Sequence, residues 1–144
     1  MTTATTDLAG YPARYFAAWN QRDLAVALNV IAETVDWHDP SLSTPITDRE
    51  GAAGFFTAAW SGFPDLAFIP VGEPLIDVTN QRITQEWRMV GTHTGEGFPP
   101  GVPATHRSFD VTGVDVWQLD DHGRAVSVHA YWNVATLLAQ LGLV

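Results

Sequence analysis

Asp115 is the residue of this chain best placed to do chemistry. Read at the two-residue period of a strand, its face runs Phe109, Val111, Gly113, Asp115, Trp117, Leu119, a lone carboxylate in an apolar row. Burial raises the pKa of such a group toward neutrality, where it can give or take a proton. His129 is a candidate partner, and the hairpin register decides its place. If Leu119 and Ala125 close the turn, Asp115 faces His129 and can polarise it as a base. If Leu119 pairs with Arg124, His129 turns away and Asp115 sees Val128 and Ala130. His93, at a strand end before a long loop, is a candidate proton donor or a cap for that loop. Asp39, with Trp37 and His38, ends another strand just before Pro40, so these three are substrate-facing candidates or simply a turn.

Around these groups the chain is rich in flat apolar side chains. Tyr15, Trp19, Trp60, Phe63, Trp87, Met89 and Trp117 could form pocket walls, and six Trp in 144 residues suit a flat hydrophobic small molecule better than a sugar or phosphate. Glu86 and Arg88 lie on the face opposite Trp87 and Met89 and are expected to form a surface or dimer-interface ion pair. His38, His93 and His129 lack the i, i+4 helical spacing of a His-x-x-x-His ligand pair, so no metal is expected.

Composition narrows the chemistry further. Cysteine and lysine are both absent, which excludes thiol catalysis, disulfides, thiolate metal sites and Schiff bases. Seven arginines scattered against sixteen acidic residues give a formal net charge of −9. That balance argues against nucleic-acid or anionic-membrane partners. No apolar run reaches the roughly 18–20 residues of a membrane span. The N-terminal residues lack the basic start and apolar block of a signal peptide, so a cytoplasmic protein is expected.

The elements that must position the site follow from periodicity. A polar tail over 1–7 precedes a single domain over 8–144. Helices are predicted over 11–21, 23–31 (capped by Asp23), 48–62 (capped by Asp48) and 133–141 (capped by Asn133). Phe56, Ala59, Trp60 and Phe63 mark the inner face of the third. A short strand is predicted over 35–40, then strands over 66–78, 82–92, 107–119 and 125–131. Gly95–Pro103, rich in Gly and Pro, reads as a long ordered loop. The order is α+β: helices on one face of a curved antiparallel sheet, enclosing one pocket. A homodimer is expected through the outer sheet face, around Val114, Val116, Val126 and Val128.

Several segments carry a resemblance. Gly91-Thr-His-Thr-Gly-Glu96 with its Pro-rich loop, Gly113-Val-Asp-Val-Trp117 with the Asp-His-Gly-Arg turn, and Leu137-Leu-Ala-Gln-Leu-Gly142 resemble the SnoaL-like polyketide cyclases of the nuclear-transport-factor-two-like superfamily. Trp19-Asn-Gln-Arg-Asp23 and Phe63-Pro-Asp-Leu66 resemble the helical half of that family. The likeness spans about residues 10–142. It implies a cone-shaped fold and metal-free, cofactor-free acid–base catalysis, the founding members closing rings by intramolecular aldol condensation.

The resemblance also implies a departure. The family's proton-moving aspartate aligns with Ala130, its pocket histidine with Asp115, and its pocket asparagine with Asp39. The first reading is therefore a cyclase or isomerase of secondary metabolism using Asp115 with a histidine or water. Epoxide opening, with Asp39 and Asp115 dividing acid and base, is the second. A non-catalytic hydrophobic-ligand binder is the third, favoured by Ala130 and by Asn133 standing where relatives often carry Asp.

Overall fold

The computed structural model describes residues 7–144; of the tail expected over 1–7, only Asp7 lies among them. Its carboxylate accepts the N–H of Gly10 just ahead of α1 (Tyr11–Gln21). Pro12 in the first turn is preset for helix and gives up an N–H that has no partner there. Asp23 caps α2 (Leu24–Asn29), accepting from the backbone of Ala25 and Val26, and Asp48 caps α3 (Arg49–Gly62) at Gly51 N–H, 2.8 Å. Asn133 does the same for α4 (Val134–Gln140).

The second helix stops at Asn29, short of the expected 31. Ile31 already belongs to β1 (Ile31–His38), whose buried Ile31, Val35 and Trp37 fill the core side of a strand, where β-branched residues fit better than on a helix. β2 (Ile46–Asp48) was not foreseen, since three residues carry no period. The other strands are β3 (Ala67–Asp77), β4 (Arg82–Thr92), β5 (Ser108–Leu119) and β6 (Ala125–Trp132), within a residue of their expected limits. They form one sheet in the order β2-β1-β6-β5-β4-β3. Its neighbours are antiparallel except β1 and β6, which run parallel.

Breaks of register in four of the five strand pairings bend this sheet. One lies between Val71 and Leu75 of β3, where Gly72 takes φ +75°. The buried amide of Gln85 donates to the carbonyls of Val71 and Gly72 at 3.0 and 3.1 Å, satisfying groups that the bulge removes from the ladder. Helices α1 and α3 fill the concave side. Trp117, fully buried, meets Tyr11, Tyr15 and Phe16 edge-on at 5.5, 5.0 and 5.8 Å, contacts worth about 0.5–1.5 kcal/mol each beyond the area buried. No helix among the described residues is long and apolar enough to cross a membrane.

Two surface expectations change. Arg88 pairs not with Glu86 but with Asp110, in a two-pronged contact of 2.8 and 2.6 Å, because Asp110 lies diagonally across the β4–β5 ladder on the same face. Val128, expected on the outer face, is fully buried opposite Trp117.

Candidate active site

The register of β5 and β6 decides the site. Leu119 pairs with Ala125 across the turn, as the first alternative required. A bulge at Gln118/Leu119 then shifts the ladder, so Asp115 lies opposite Ala130 and His129 opposite Val116. One extra residue reverses the faces beyond it. His129 therefore stands on the outer face, next to His38 of β1, while Val128, Ala130 and Trp132 turn inward.

Asp115 is 3% exposed and lines an internal cavity of about 40 Å³. Its companions there include Tyr15, Phe63, Phe68, Trp87, Met89, Phe98, Ala130 and Trp132, and one further carboxylate, Asp39. Asp115 Oδ1 has no hydrogen-bond partner. The nearest amide across the ladder, that of Gln85, is committed to the β3 bulge. Burial drives the Asp115 carboxyl well above the usual carboxylate range; the Trp87 indole opposes this, and the charge of Asp39 adds to it. No arginine lines the cavity to compensate, so burial favours the neutral acid over the carboxylate.

Asp39 is built differently. Its Oδ1 accepts from the backbone N–H and the hydroxyl of Ser41 at 2.8 and 2.6 Å, and its Oδ2 accepts from the Trp132 indole at 3.3 Å. Burial raises its pKa, and these donors partly restrain the rise. Asp39 and Ala130 also border an outer groove of about 280 Å³ formed by the 38–45 segment, His129 and Tyr131, so they form the partition between cavity and surface.

The remaining candidates divide. Tyr15, Phe63, Trp87 and Met89 line the cavity. Trp37 and Trp117 are core residues outside its lining, and Trp60 is a half-buried strut whose indole donates to the Trp19 carbonyl at 2.9 Å. His93 is fully buried, packs edge-on against Phe63 at 5.5 Å and lies off the cavity wall. Its Nδ1 accepts the Thr105 N–H at 3.2 Å, and its backbone bonds Arg107 and His106. It thus closes the base of the loop leading to Phe98. His38 is outside, with Nε2 on Asp36 at 2.8 Å.

Sequence reasoning missed Ser41 and Trp132. Asp-x-Ser is the signature of an Asp side chain capping its own turn, and Trp132 continues the inward alternation Val128, Ala130 one residue past the expected strand end. Phe55, Phe68 and Phe98 carried no signal that set them apart from ordinary core.

Gly113 makes the site possible. A Cβ there would lie 2.6 Å from the Trp87 ring and 2.8 Å from Trp132 Cβ, so only glycine lets both indoles meet over this strand.

Residues 13–128 match the SnoaL-like domain family model. No curated protein matches the sequence significantly. Among solved structures, the chain is similar to IdmH of Streptomyces antibioticus, provisionally assigned as a polyketide cyclase. The two are 28% identical over 94% of this chain and 99% of that one, with a TM-score of 0.76. AclR of Streptomyces galilaeus, provisionally a hydroxylase, is 20% identical over 96% and 86%, TM-score 0.78. SalBIII, an epoxide hydrolase/cyclase-like enzyme with a role in pyran ring formation in the polyether salinomycin, is 15% identical over 94% and 97%, TM-score 0.76. The last two likenesses are of fold.

Proposed function

This chain belongs to the SnoaL-like domain family, and we propose that it is a cofactor-independent cyclase or isomerase of an apolar, polyketide-type molecule, with Asp115 as acid and Asp39 as base. The observation that carries this is the pair of unlike carboxylates in one aromatic cavity: Asp115 buried and without a partner on Oδ1, Asp39 held by three donors. Burial raises both pKa values, but only Asp39 has donors that restrain the rise from both oxygens, and two carboxyls in surroundings this unlike can divide acid and base work.

In an aldol closure, Asp39 removes a proton from the carbon acid next to a carbonyl. The resulting enolate attacks the second carbonyl carbon, and Asp115 transfers its proton to the oxygen that would otherwise become alkoxide. Proton return from Asp39 to Asp115 through the product or water resets the pair. The cavity of about 40 Å³ holds about three waters, so a substrate must displace part of the wall. Phe98, on the Gly95–Pro103 loop, and the Asp39–Ala130 partition are the parts able to yield.

A second reading, epoxide opening by an internal hydroxyl, uses the same pair. Asp115 protonates the epoxide oxygen while Asp39 accepts the hydroxyl proton. The carboxylate-only acid–base set favours it, because no cavity-lining histidine is available to either step. Incubation with a β-polyketo ester and, separately, an epoxy-alcohol, followed by mass spectrometry and NMR of products, distinguishes the two. The cyclase reading expects ring closure of the ester, abolished by Asp115→Asn. Binding of both compounds without turnover would refute catalysis.

A further inference from the structure

The outer face of the sheet carries a second cluster that the acid–base cavity does not use. Asp36 and His38 are two apart on β1 and so project on the same side. His38 and His129 are direct partners in the parallel β1–β6 ladder, and their rings lie 4.4 Å apart. Both imidazoles turn Nε2 toward one carboxylate: His38 Nε2 lies 2.8 Å from Asp36 Oδ1, and His129 Nε2 4.0 Å from Asp36 Oδ2. One ligand atom from each of the three falls within 4.8 Å of the other two. On the far side of the His129 ring, Nδ1 contacts the Tyr131 hydroxyl at 3.3 Å.

From this geometry we propose that Asp36, His38 and His129 form a binding site for a divalent transition metal, Zn²⁺ or its Co²⁺ and Ni²⁺ analogues. An ion with ligand bonds of about 2.1 Å holds neighbouring ligand atoms about 3–3.5 Å apart. The His38–Asp36 contact, at 2.8 Å, lies just below that range, and the 4.0 Å His129 contact lies above it by under about 1 Å, so both are met by side-chain adjustments of groups more than a third exposed. Two imidazoles with one carboxylate suit borderline ions rather than Mg²⁺ or Ca²⁺, which prefer all-oxygen sets. In the tautomer that metal binding requires, His129 Nδ1–H would donate to the Tyr131 hydroxyl 3.3 Å away, leaving the Nε2 lone pair for the metal and holding the ring, as partners behind metal-bound histidines do. His38, His129 and Tyr131 also border the outer groove, which gives an ion a route to the cluster. The helical His-x-x-x-His spacing is the wrong test for this chain. On strands, the i, i+2 step and the cross-strand partner bring ligands together.

Calorimetric titration of the full chain with Zn²⁺ tests the proposal. The expected result is one ion per chain, with affinity lowered at least 10-fold by His129→Ala and by His38→Ala and unchanged by His106→Ala or His122→Ala, which remove the chain's other exposed histidines. Excess Mg²⁺ should not displace the ion. Co²⁺ loading should produce a visible absorption that His129→Ala abolishes, and circular dichroism confirms that each variant is folded. Titration that is equal in parent and His129→Ala, or that Mg²⁺ reverses, would reduce the cluster to an ordinary surface ion pair and overturn the site.

Discussion

If Asp115 is held as a neutral acid, the protein becomes less stable as pH rises, and a single substitution should remove that dependence. In the unfolded chain an aspartate ionises near pH 3.9. In the folded protein its pKa lies well above this, chiefly through burial. Between the two values the unfolded state has released the proton while the folded state retains it. The favourable contribution is therefore complete below about pH 3.9 and is lost with increasing pH, at about 1.4 kcal/mol per pH unit, until the folded pKa is reached. Asp115→Asn keeps the shape and has no proton to lose. The stability of the variant relative to the parent should be nearly constant around pH 4 and should rise by about 1.4 kcal/mol per unit above it. For a chain of this size that is about 3–5 °C in Tm for each unit.

Thermal melts of both proteins at pH 4.5, 5.5 and 6.5 measure the difference, and the other carboxylates cancel because both proteins share them. A difference that stays flat, or that grows toward acid, would mean that Asp115 is ionised and paired in the fold, and the reasoning would fail. The same variant should lose about 10²–10⁴-fold in kcat, the range of a positioned proton donor. Greater stability with lost activity is the mark of a group retained for chemistry rather than for folding.

Other expectations are as specific. Asp39→Asn should lower kcat by about 10²–10⁴-fold with a smaller effect on Tm than at Asp115, and the pH–rate profile of the residual activity should lack the acidic limb. Gly113→Ala should cost about 1–3 kcal/mol in urea denaturation, the range of an overpacked core, because its methyl group meets the Trp87 ring; a neutral result would show that Trp87 is free to move. Multi-angle light scattering should give a homodimer at micromolar concentration, converted to monomer by Val116→Glu on the outer sheet face, and a monomeric parent would refute that assembly.

What the sequence disclosed depended on period. The helix faces and the long strands β4 and β5 repeat their pattern over three or more turns or alternations, and they fall where that pattern puts them. Asp115 could be read inward because five apolar neighbours share its face. β2 could not be read at three residues, and the start of β1 was absorbed into α2 because Val30 and Ile31 suit either element. Asp39 was visible only as the residue before a proline; its cage of donors comes from Ser41, two residues on, and from Trp132, 93 residues away. That distance lies in the parallel β1–β6 pairing, which no local pattern encodes.

The bulge in the β5–β6 hairpin explains most about the site, and it was the feature least accessible from sequence. Without it, the pairing of Leu119 with Ala125 would carry His129 opposite Asp115, and an Asp–His dyad would face the cavity. With it, Ala130 takes that place. The resemblance implies a proton-moving aspartate at the Ala130 position in relatives; in this chain a carboxylate, Asp115, stands directly across the ladder from it. An acid at either position addresses the same cavity, since both residues line it. The exchange leaves a methyl group where the partition to the outer groove is thinnest, and it sends His129 out to meet His38 and Asp36. A single inserted residue thus sets both the all-carboxylate chemistry proposed inside the sheet and the ligand cluster outside it. The residue in excess is Val126, which β6 carries between the Leu119–Ala125 and Gln118–Ser127 pairs. Deleting Val126 would leave a regular ladder with Asp115 still opposite Ala130 and His129 still outside, so we expect that variant to keep both Zn²⁺ binding and turnover; loss of both would show that the bend of the bulge, and not its register alone, positions the two sites.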